Sequence, residues 1–228
     1  MSQIIAVINQ KGGVGKSTTA HALGAGLILK GYSVLFVDLD YQGNLSYSMG
    51  ANTKGYNALG VLERPETAKE EIQHTASGDI IASSPKLAGA DKLLEDTGKE
   101  YRLKEALESL QGLYDYIVVD TPPALGILTI NALTACTGAI IPAQADPYSL
   151  QGIVQLSGTI ETVRKYCNHS LSIMGIVLTR YNARSTIRRE VAEMLEQTAE
   201  QLHTKLYSTK IRECVSIVEA QAMKKPIY

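Results

Sequence analysis

Little in this chain suggests a protein built around metals or disulfides. Its 228 residues include only three cysteines and four histidines. Cys136, Cys167 and Cys214 lie far apart and lack zinc-type or cluster-type spacing. They read as free thiols in a reducing compartment, and no structural metal site is expected. No apolar run approaches the roughly 18 residues of a membrane span. The first nine residues lack the basic flank and long apolar run of a secretory leader, so a cytosolic protein is expected. Neither sign of charge is in excess: 22 Lys and Arg stand against 23 Asp and Glu, for a net charge of -1. The molecule as a whole is not an electrostatic magnet for DNA. Any nucleic-acid contact must come from a local patch, or from one built by two copies.

What is present suits a single α/β domain over residues 1–228. Hydrophobic residues make up 45% and charged residues 20%, and the length allows one large core. Short β-branched runs at 4–9, 33–38, 79–82, 116–120, 138–142 and 172–179 read as strands. Segments 17–30, 88–94, 99–110, 127–135, 150–166 and 187–203 read as helices. The strands look buried on both faces, as parallel strands are, and they alternate with helices. This predicts a doubly wound, mostly parallel sheet with helices on both faces. Residues 43–75 are polar and weakly periodic and receive no assignment.

The first strand runs into Lys11-Gly12-Gly13-Val14-Gly15-Lys16-Ser17-Thr18, and a helix follows. That is the context of a phosphate-binding loop. Glycines let backbone N–H groups approach phosphate oxygens, and the helix N-terminus adds its positive dipole end. Lys16 is placed for the β- and γ-phosphates and the Ser17 hydroxyl for Mg²⁺. The cofactors expected are therefore ATP and Mg²⁺. Two further strands end in acids: Asp38-Leu39-Asp40 closes one and Val118-Val119-Asp120 the other. In parallel sheets ligands bind at such strand ends. Asp120 fits a Walker B aspartate that holds Mg²⁺ through its waters.

Gln10 stands where the usual spacing asks for glycine, and Lys11 supplies a second lysine. This variant resembles the deviant Walker A ATPases, the ParA/Soj/MinD family of P-loop NTPases. The resemblance covers nearly the whole chain and includes Asp38–Asn44, Arg102-Leu103-Lys104, Leu125–Thr134 and Glu219-Ala220. It implies that Lys11 crosses a dimer interface to the partner's nucleotide, and that Asp40 lies by the γ-phosphate, positioning water and approaching the metal. Asp38 would support the Mg²⁺ region, and Arg180 and Asn182 would lie near adenine. Tyr41 stands where that family usually has proline, which removes one support for the rigidity of the loop.

The resemblance further implies an ATP-closed homodimer, nonspecific DNA binding and weak hydrolysis stimulated by a ParB-like centromere-binding protein. Nucleoid association would follow. Arg184, Arg188, Arg189 and Arg212 are the candidate DNA contacts, by sequence-blind phosphate binding. Glu213 and Ser216 replace basic residues of Soj-like proteins, and the family's final helix has no counterpart before Tyr228. No sequence-reading DNA motif is present. A membrane-binding C-terminal amphipathic helix is also missing, so no membrane partner is expected. The alternatives are an ATPase switch that positions a protein cargo without DNA, and a small-molecule P-loop ligase.

Overall fold

The computed structural model describes residues 2–182 and 186–225, for 186–188 the backbone only. In chain order come β1 (Gln3–Val7), α1 (Lys16–Leu29), β2 (Val34–Asp38), α2 (Asn44–Ser48), α3 (Ala58–Glu63), β3 (Ile72–Thr75) and β4 (Gly78–Ile81). Then follow α4 (Ala90–Leu93), α5 (Arg102–Glu108), β5 (Tyr116–Asp120), α6 (Ile127–Ala135), β6 (Gly138–Ala143), α7 (Pro147–Tyr166), β7 (Ser172–Leu178), α8 (Thr186–Gln201) and α9 (Val215–Ala222).

The strands form one sheet in the order β3-β4-β2-β5-β1-β6-β7. Every pairing is parallel except β3 with β4. From β1 the chain crosses to β2, and from β5 it crosses to β6 on the opposite side of β1. The order therefore reverses around β1, and the crevice that takes ligands opens beyond its C-terminal end.

Side-chain alternation fills both faces, as expected for strands buried on both sides. Leu35 and Val37 join a large cluster with residues of α3, α5, α6 and α7. Val34 and Phe36 point the other way, into a smaller cluster with Ala20, Leu45 and Met49. Gly24 sits where α1 crosses β2, and a Cβ there would lie 2.2 Å from two ring carbons of fully buried Phe36. Glycine is what lets helix and strand approach this closely.

The 88–94 helix is only α4, preceded by a 3-10 turn over Pro85–Gly89. Ser84 caps that turn by accepting from the Lys86 N–H at 3.3 Å. The α7 helix starts earlier than periodicity suggested. Asp146 caps it and Pro147 occupies its first position, where a missing N–H costs nothing. The unassigned 43–75 stretch holds α2, α3 and the antiparallel strand β3. The α9 helix also lay outside the segments read as helical. It has no buried residue, so its sequence carries no core stripe to detect.

Candidate functional site

The loop between β1 and α1 is tied down from three neighbouring segments. Asn9 donates from Nδ2 to the Pro142 carbonyl at 2.6 Å and accepts the Lys11 N–H at 2.9 Å. Gln144 Nε2 donates to the Gly13 carbonyl at 3.0 Å, and Thr179 Oγ1 donates to the Val14 carbonyl at 2.7 Å. The ends of β6 and β7 thus fix the Gly13 and Val14 carbonyls of the loop. Gly15 adopts φ 85, a left-handed conformation that side chains strain to reach, and α1 starts at the next residue.

A hollow of about 520 Å³ opens over this loop, lined by Gly12, Gly13, Gly15, Lys16, Ser17 and Thr18 and by Asp40 and Gln42 from the β2 end. Lys16 is only 6% exposed. Burial lowers its pKa, and the Asp120 and Asp40 carboxylates oppose that shift. Asp40 is pushed upward by burial, with the Gln42 N–H and Lys16 working the other way. Asp120 is fully buried and shifted well above the usual carboxylate range by burial and by Asp38, while Ser17 and Lys16 offset part of the rise.

Neither carboxylate oxygen of Asp120 has a hydrogen-bond partner of ordinary geometry among the described residues. A buried, orphaned carboxylate is costly unless a cation or donor meets it. A divalent cation beside Asp120 and Ser17 meets that need, so the residues fit Mg²⁺. No group of three or more His, Cys, Asp or Glu forms a metal cage among the described residues. Mg²⁺ usually takes one or two carboxylates and completes its shell with water and phosphate oxygens.

Asp38 is committed differently. Its Oδ2 accepts the Ser46 N–H at 2.8 Å and the Ser46 hydroxyl at 2.7 Å, and its Oδ1 accepts the Asp40 N–H at 3.1 Å. Burial raises its pKa to about 6 against these bonds. Asp38 holds the Asp40 turn and α2 in place. The turn that lacks the family's proline is secured otherwise: Gly43 N–H bonds the Asp40 carbonyl at 2.8 Å, and the Ser83 hydroxyl donates to that carbonyl at 2.5 Å.

Lys11 turns elsewhere. Its side chain does not line the phosphate hollow. It forms an ion pair with Asp146, the cap of α7, and both side chains are about a quarter exposed, at 26% and 28%. It borders a shallow surface with Gln10, Tyr148, Gln151 and Gln155.

A second hollow of about 300 Å³ adjoins the first, lined by Thr179, Arg180, Ile211, Arg212, Glu213, Cys214 and Ile217. The two share Gly13, Gly15, Thr18, Val218 and Gln221. Arg180 pairs with Glu213 across the second hollow. Asn182 is exposed and is not among the residues lining it. Of the candidate DNA contacts, Arg189 and Arg212 are exposed. Arg184, and the side chain of Arg188, lie outside the described residues. Sequence reasoning did not single out Asn9, Gln144, Asp146, Thr179 or Gln221, because each acts through a contact far away in sequence. Only Asp146, followed by proline at a helix start, carried a local signal.

An AAA-domain family matches residues 2–173. The sporulation initiation inhibitor protein Soj of Bacillus subtilis is 40% identical, covering 100% of this chain and 90% of that protein. The chain belongs to the ParA/Soj family. The chromosome partitioning protein ParA of Caulobacter vibrioides is 36% identical over 99% of this chain and 86% of its own length. A solved structure from Mycobacterium smegmatis, described as cobyrinic acid a,c-diamide synthase with bound ADP and magnesium, is 34% identical. It superimposes with a TM-score of 0.85 over 98% of this chain and 93% of that one.

Proposed function

We propose that this ParA/Soj family member is an ATP-dependent DNA-partitioning ATPase. It converts ATP and water to ADP and phosphate and uses the cycle to bind and release DNA. The observation that carries the reading is the placement of Lys11, which is excluded from its own phosphate hollow and held at an accessible rim. A cation so placed serves the triphosphate of a second copy better than its own. The loop residues Gly12 to Thr18 take the phosphates, with Lys16 at the β- and γ-phosphates, and the second hollow takes the base, with Arg180 on its wall. Ser17 and Asp120 would hold Mg²⁺, with Asp40 nearby. Bound Mg²⁺ would neutralise phosphate charge. Asp40 orients the attacking water, and Lys11 from the partner copy stabilises developing charge.

The C. vibrioides relative, named for chromosome partitioning, supports this reading, as does the nucleotide-bound M. smegmatis structure. A ParB-like partner would stimulate hydrolysis, and the closed dimer would gather Arg184, Arg188, Arg189 and Arg212 of two copies for sequence-blind DNA binding. No helix among the described residues is long and apolar enough to cross a membrane.

One observation favours a second reading, a protein-positioning switch without DNA: Glu213 pairs with Arg180 and reduces positive charge beside Arg212. The synthase name of the M. smegmatis protein points to a third, a ligase, which would turn ATP over only with an added acceptor. Light scattering of Asp40→Ala separates dimer-forming readings from the ligase. The proposal expects a dimer with ATP and a monomer with ADP; a monomer at saturating ATP contradicts it.

A further inference from the structure

The α9 helix buries none of its residues, yet it roofs both hollows. One side-chain contact from the helix and one from the turn after it fasten this end of the chain. Gln221 Nε2 donates to Thr18 Oγ1 at 2.9 Å, joining the chain's last described helix to the first turn of α1. Lys224 Nζ lies 5.0 Å from the centre of the Tyr47 ring on α2, a cation–π distance. Tyr47 itself lines the phosphate hollow.

Gln221 and Thr18 are both among the few residues common to the two hollows. They stand at the neck between the phosphate loop and the base-sized space. A nucleotide spanning both must pass between the phosphate loop and α9 at this neck. The Thr18 hydroxyl, one residue beyond Ser17, accepts this bond and keeps its own proton to donate. No hydrogen bond joins Gln221 to Lys11, Lys16 or Asp40 among the described residues.

We propose that Gln221 is a nucleotide-positioning residue: through its bond to Thr18 it clamps α9 over the neck of the bound nucleotide. The inference rests on ATP occupying the phosphate hollow. The clamp acts on the part of the nucleotide that ATP and ADP share. It therefore strengthens binding of both and leaves the chemical step alone, which is uniform binding.

The test is a set of equilibrium titrations with ATP and ADP, plus steady-state hydrolysis, on wild type, Gln221→Ala, Thr18→Val and the double variant. Gln221→Ala is expected to weaken ATP and ADP alike, about three- to tenfold, as loss of one hydrogen bond implies. KM rises by the same factor and kcat is unchanged. In the Thr18→Val background the Gln221→Ala change adds nothing, since the two act as one unit. Without nucleotide the melting temperature falls by no more than about 2–4 °C, as loss of one part-buried hydrogen bond implies. Unchanged affinity in Gln221→Ala overturns the clamp, and so do fully additive losses or a fall in kcat at constant KM. If wild type itself binds no ATP, or Lys16→Ala binds it normally, the nucleotide-site reading fails, and the clamp with it.

Discussion

The Lys11 ammonium and the Asp146 carboxylate form an ion pair that ties the phosphate loop to the first turn of α7. Asp146 also caps that helix, accepting the Ser149 N–H at 3.1 Å. One carboxylate therefore holds a helix start and the lysine expected to reach a second copy. On the proposed function, closing an ATP dimer would exchange this pair for phosphate contacts.

Asp146→Asn tests that exchange. The amide still caps α7, but the charge that holds Lys11 is gone. A partly exposed pair contributes up to about 1 kcal/mol. The ATP concentration for half-maximal dimerisation, followed by light scattering, should fall by up to about fivefold. Lys11→Ala should bind ATP and remain a monomer.

Lys16→Ala removes the buried cation that faces Asp120 and Asp40. ATP binding should fall below detection in calorimetry, while the fold persists by circular dichroism. Normal ATP affinity in this variant would remove the phosphate-loop assignment.

The sequence made the position of the candidate site legible where residues are contiguous. Lys11 to Thr18, Asp40 and Asp120 sit at the strand ends that the pattern of buried runs and glycines implied. The supports were not legible, because Thr179 and Gln221 reach the loop across 165 and 203 residues. Asp38 reads in the sequence as a support near the Mg²⁺ region, without the bonds by which it would act. Only the fold shows its oxygens taken by Ser46 and the Asp40 N–H. The α9 helix escaped because amphipathic patterning reports burial, and nothing in that helix is buried.

His21 provides a pH test. It is 1% exposed, edge-on to Phe36, and neither ring nitrogen has a partner among the described residues. Burial holds its pKa below 6.5. The unfolded chain then binds a proton that the folded chain refuses, so this residue costs stability as pH falls below 6.5 toward its lowered folded value. The slope is at most about 1.4 kcal/mol per pH unit. His21→Leu should remove that component and stabilise the protein by about 1–3 kcal/mol, by freeing it of two unbonded polar atoms. Denaturant curves at pH 5.5 and 7.5 measure both effects. An equal pH dependence in the two proteins would contradict the assignment.

Gly24→Ala should be severe despite its small size. Its Cβ would meet the Phe36 ring at 2.2 Å in a packed core. Overpacking of this kind costs about 1–3 kcal/mol, which urea unfolding resolves. Adding Phe36→Leu should recover part of the loss.

Binding of Asp40→Ala to random duplex DNA across a salt series decides whether ATP gates DNA binding. With ATP, saturable binding is expected, with an association constant whose logarithm falls steeply and linearly with the logarithm of salt, and little binding in ADP. ATP-dependent dimers that ignore DNA at every salt concentration would contradict ATP-gated DNA binding. That result would favour the protein-positioning switch, with the Glu213–Arg180 pair as the first feature to reverse.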